Sequence, residues 1–89
     1  MTTAEVTLLV KSLPVGQIVI WETDETGKFI RAGAFNFHDE TRPALQVEGM
    51  DALESLRGKG LIRQESLNVF KLTGRGFELA KQYAEQAKN

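Results

Sequence analysis

Apolar positions recur along this chain with two different periods. Val6, Leu9, Val10 and Leu13 stand at i, i+3, i+4 and i+7, the spacing of one helix face. Thr2 and Glu5 have capping-box spacing in front of them. Pro14 cannot continue such a helix and biases Leu13 away from helical geometry. These signals predict a first helix over about Thr3 to Ser12. Gln17 to Glu22 and Phe29 to Phe35 are β-branched and aromatic, so they read as two strands. The polar cluster Thr23 to Lys28 is their turn, and Gly33 weakens the second strand. Phe35 and Phe37 fall on the same side of extended chain.

The second half returns to the helical period. His38 to Arg42 is polar and turn-like, and Pro43 suits a first helical turn. Asp39 or Thr41 is the expected cap. Val47, Met50, Leu53 and Leu56 form the expected inward face of the next helix, with Gly60 as its left-handed stop. Leu61-Ile62-Arg63 and Val69 to Leu72 read as a second hairpin turning near Ser66-Leu67. Thr73 caps the last helix. Phe77, Ala80, Ala84 and Ala87 line one stripe of it, with Leu79 and Tyr83 beside them. The prediction is one α+β domain spanning residues 1–89, in the order α-β-β-α-β-β-α.

Within this order, Leu56-Arg57-Gly58-Lys59-Gly60-Leu61-Ile62 closes the second helix and Leu72-Thr73-Gly74-Arg75-Gly76 opens the last. The segment from Met50 to Ala80 thereby resembles winged-helix regulators of the multiple-antibiotic-resistance and PadR-like groups. In those families the first run ends the recognition helix and a wing hairpin separates it from the second. The resemblance implies a winged-helix fold and a DNA-binding transcriptional regulator. Two departures accompany it. A β-hairpin stands where the family places the helix before the recognition helix, and the wing is a tight turn carrying Glu65, Ser66, Leu67 and Asn68.

Composition adds bounds. With 89 residues the chain holds a small core but not a deep catalytic cleft as well. It is 42% apolar and 26% charged, as a folded domain is. A formal charge of −1 runs against the basic excess of a dedicated nucleic-acid binder. With no cysteine there is neither a disulfide nor a thiolate metal site. No membrane-spanning run and no signal-peptide pattern is present, so a cytoplasmic location without membrane attachment is expected.

Candidate chemistry is sparse. Arg57, Lys59, Arg63 and Lys71 surround the end of the second helix and the wing, as a phosphate-binding patch or as ordinary surface charge partly paired with Glu54 and Glu65. The outer face of the same helix presents Glu48, Asp51, Glu54 and Ser55. Carboxylates at a recognition position repel phosphates, so this face is either solvated or a contact surface for a protein partner. Trp21 is core or interface, as are Phe29, Phe35 and Phe37. His38-Asp39-Glu40 lacks the further ligands of a metal site, and no serine has a base partner. No catalytic residue, cofactor or metal is expected. The partner is therefore DNA or a protein, and the last helix's apolar stripe offers a homodimer interface.

Overall fold

A computed structural model describes residues 1–87. The elements are α1 (Thr3–Ser12), β1 (Gln17–Thr23), β2 (Gly27–Ala32), β3 (Phe35–Asn36), α2 (Ala44–Gly58), β4 (Ile62–Ser66), β5 (Val69–Leu72) and α3 (Gly74–Ala87). The five strands form one antiparallel sheet in the order β3-β2-β1-β5-β4. β1 joins the two hairpins, with Ile18 opposite Ala32 on one side and opposite Phe70 on the other. The first hairpin is thus built into the sheet, not an arm.

Strand alternation sorts the sheet into two faces. Ile18, Ile30, Ala32, Ile62, Phe70 and Leu72 share one buried cluster with Leu8, Leu9, Leu53, Leu56 and Ala80 from the helices. All three helices therefore cover this face. The opposite face carries Val19, Trp21, Phe29 and Arg31 from the first hairpin, with Arg63, Val69 and Lys71 from the second.

The α+β class and the helix boundaries agree with expectation, and the differences have local causes. The expected second strand divides. Gly33 takes φ +60°, and the chain reverses there before pairing Phe35 with Ala32. Added side-chain bulk at Gly33 would collide with the Lys11 carbonyl, so both conformation and close approach require glycine. The observed order is accordingly α-β-β-β-α-β-β-α. The second hairpin turns at Leu67-Asn68, one residue later than expected, after a bulge between Gln64 and Ser66.

Both inner helix faces are rotated from those the apolar spacing predicts. In α1 the buried residues are Glu5, Leu8, Leu9 and Ser12, while Val6, Val10 and Leu13 are half-buried. α1 packs between α2 and α3, which cover more than one side of it. In α2 the buried residues are Gly49, Ala52, Leu53 and Leu56. Met50 is half-buried and Val47 is 62% exposed. The small residues decide this frame. A Cβ on Gly49 would lie 3.0 Å from the Phe37 Cβ and 3.1 Å from its ring, so the helix seats on Phe37 through its glycine.

The caps are local. Thr2 and Glu5 form the expected capping box. Gly60 has φ +74°, and Leu61 N donates to Leu56 O at 3.1 Å, ending α2 in a left-handed turn. The Thr73 hydroxyl accepts from Gly76 N at 3.1 Å and donates to Gly60 O at 2.8 Å, tying the start of α3 to the end of α2. Asp39 does not cap α2. Its carboxylate accepts from Thr41 N and Oγ1 at 2.9 and 2.7 Å, while Pro43 holds the N-cap position with no side-chain bond.

Candidate functional site

α1 and the N-terminal half of α2 diverge above β3, leaving a cleft of about 720 Å³. Leu45, Glu48, Ala52 and Ser55 supply the α2 wall at helical spacing, and Thr3 and Thr7 are among the residues of the α1 wall. Phe35 and Phe37 meet edge to face beneath it, with ring centroids 5.0 Å apart. Arg42 reaches Glu48 at 3.4 Å at the rim. Asp51 also lines the cleft and has no ion-pair partner among the described residues. The site combines an aromatic floor, hydroxyl-bearing walls and one uncompensated carboxylate.

A buried network lies along the same seam. Glu5 is 3% exposed. Its Oε2 accepts from Lys59 Nζ at 2.6 Å and from Ser55 Oγ at 3.0 Å, and its Oε1 accepts from Thr2 N at 3.1 Å. The Lys59 ammonium is the main reason its pKa falls from 4.5 to about 2, with burial opposing. Glu5 is thus ionised and satisfied, and it holds α1 to α2. From sequence alone Glu5 has only the capping-box role. Its burial was legible only in the frame Glu5-Leu8-Leu9-Ser12, which places a carboxylate on the inner face.

The four basic candidates do not form one patch. Arg57 and Lys59 lie on the helix side, where Arg57 donates to Gln64 at 3.3 Å and approaches Glu54 at 3.9 Å. Arg63 and Lys71 lie opposite one another on the other face of the sheet. They share Glu65, at 3.0 and 3.8 Å. Each of the four has a carboxylate within 4 Å.

The second set of candidates is divided too. Glu48, Asp51 and Glu54 are exposed on α2. Trp21 lies on the outer sheet face, 47% exposed, with the Arg31 guanidinium 5.7 Å from its ring centroid. Phe29 and Phe37 are buried and Phe35 half-buried. In α3 Ala80 is buried, while Phe77 is 36% exposed and Leu79, Tyr83 and Ala84 are half-buried. The Ala87 side chain lies outside those described.

His38 stacks against Phe29 with centroids 5.6 Å apart, and its Nδ1 is buried without a hydrogen-bond partner. Asp39 is held below the usual carboxylate range chiefly by the Thr41 hydroxyl. No group of three or more potential metal-ligating residues occurs among the described residues. Nor does a helix there have the length and apolarity to cross a membrane.

No protein-family model, curated protein or solved structure matches the chain. The functional reading therefore rests on the geometry.

Proposed function

We propose that this domain is a winged-helix-like regulatory module that binds a polypeptide segment in the cleft between α1 and α2, and that duplex DNA is not its main ligand. The observation that carries this reading is the cleft itself. Its floor offers Phe35 and Phe37 to an apolar side chain, and Asp51 offers an unpaired carboxylate to a basic one. The occupant is a basic amphipathic segment, with an apolar anchor and a lysine or arginine about one helical turn away. Charge complementarity selects this chemistry. The lining holds the carboxylates Glu5, Glu48 and Asp51 against the guanidinium of Arg42. Glu5 is satisfied by Lys59 and Glu48 by Arg42, which leaves Asp51.

The continuous run of α2, the β4–β5 hairpin and α3 supports the winged-helix part of the reading. The acidic exposed face of α2 and the dispersal of the basic residues weigh against a major-groove role. A cytoplasmic setting accords with the cysteine-free sequence. Self-association through α3 is a separate proposal, supported by the exposed part of Phe77 and by Leu79 and Tyr83. Sedimentation at high micromolar concentration tests it.

Selection from a displayed library of random peptides tests the main reading. Wild-type protein should enrich peptides joining an apolar anchor to a nearby basic residue. Asp51→Lys should abolish their binding while leaving thermal unfolding unchanged. Enrichment of no motif, or of a motif indifferent to Asp51→Lys, would overturn the proposal.

A further inference from the structure

The outer face of the sheet has no helix over it and differs in chemistry from the cleft. The pairing register places its side chains in rows. Arg63, Lys71 and Gln17 form one row across β4, β5 and β1. Val69, Val19 and Arg31 form the next across β5, β1 and β2. Trp21 and Phe29 form the third. Rows on one face stand about 7 Å apart and neighbouring strands about 4.8 Å apart. The cations therefore run diagonally from Arg63 and Lys71 to Arg31 and end at Trp21. Arg63 and Lys71 share one carboxylate, Glu65, while the Arg31 guanidinium donates to the Gly33 carbonyl. Beyond Trp21, the β1–β2 turn carries Asp24 and Glu25, which limits the positive band at that end.

We propose that this face binds single-stranded nucleic acid, with Trp21 as the stacking platform and Arg31, Lys71 and Arg63 along the phosphate path. A half-exposed indole packed beside a guanidinium offers a planar surface that accepts any base. Phe29, 9% exposed beside Trp21 and covered by His38, supports the platform from within the sheet. The half-buried Val19 and Val69 lie between the cations and give the strand an apolar bed. Stacking on Trp21 needs a base free of its pairing partner, so the face favours an unpaired strand over a duplex. This site lies on the far side of the sheet from the cleft, so one molecule can hold both ligands.

Trp21 is the only tryptophan, so its fluorescence reads the site directly. Titration with a short oligothymidylate should quench it saturably. Anisotropy of a labelled oligothymidylate should show affinity falling with salt, with a log–log slope of roughly −2 for three phosphate contacts. The double variant Arg63→Gln, Lys71→Gln should weaken binding about tenfold and flatten that slope. Trp21→Ala should weaken it by about tenfold or more, with wild-type thermal unfolding. A duplex of the same length should bind less tightly. Absence of quenching would overturn the proposal. Equal quenching by polyglutamate would replace it with an acidic polypeptide ligand. A protein-concentration-dependent change in Trp21 emission without oligonucleotide would replace it with self-association.

Discussion

Glu5 and Lys59, fifty-four residues apart in sequence, are joined by a 2.6 Å hydrogen bond from ammonium to carboxylate. The bond links the first turn of α1 to the end of α2. It lies at the seam of the proposed binding cleft, so the stability of that seam should depend on the charge of Glu5.

The folded-state pKa of Glu5 lies near 2, below its ordinary 4.5. A depressed carboxylate contributes its stability in full above the unfolded value and loses it as pH falls through the folded one. Because Lys59 is 45% exposed, solvent screens the pair, and the contribution is about 2 kcal/mol. Urea midpoints should place Glu5→Gln below wild type at pH 7, with the gap closing as pH falls from about 4.5 towards 2. A gap that does not change with pH would show that Glu5 does not act through its charge. Lys59→Met should lower stability at pH 7 by about 1–3 kcal/mol and raise the Glu5 pKa.

Two glycines should respond in opposite directions. A Cβ on Gly76 would meet the Leu61 carbonyl, where α3 packs tightly on the chain leaving α2. Gly76→Ala should therefore destabilise by about 2 kcal/mol or more. Gly58 has negative φ, ends α2 and has open space around its Cβ position. Gly58→Ala should stabilise by about 0.5–1 kcal/mol through the unfolded state. Thermal melts of the two variants check both signs.

Much of the fold was legible in the sequence because its signals are local. The Thr2–Glu5 box and Pro14 bracket α1, and Gly60 and Thr73 mark the end of α2 and the start of α3. The helix orientations were less legible. In α2 the choice between the Val47 and Gly49 faces depends on Phe37, which reaches the helix from the residue after β3. Counting apolar residues selects Val47, whereas packing selects the face where a large ring fits against a missing side chain. The cleft was not legible at all. Its walls come from residues about fifty positions apart, and its floor from a short strand whose turn at Gly33 had read as continuous chain. The acidic residues Glu48 and Asp51 stand out in the sequence, but their place beside an aromatic floor depends on that tertiary arrangement.

The dispersal of Arg57, Lys59, Arg63 and Lys71 leads to a prediction about duplex DNA. Wild-type protein should bind random duplex no more tightly than about 10⁻⁴ to 10⁻⁶ M at physiological salt. Changing Glu48, Asp51 and Glu54 together to glutamine removes the repulsion but gathers no cations, so affinity should stay in that range. Anisotropy titrations over a range of salt concentrations measure both. A sequence-specific complex well below that range would restore the recognition-helix role to α2.

The most direct measurement is amide chemical-shift mapping with a peptide selected for apolar-plus-basic character. The largest perturbations should fall on Thr3, Thr7, Leu45, Glu48 and Asp51, with the Trp21 indole signal unmoved. Perturbations centred on Trp21, Arg63 and Lys71, with the α1–α2 signals unchanged, would contradict the assignment of the polypeptide site to the cleft.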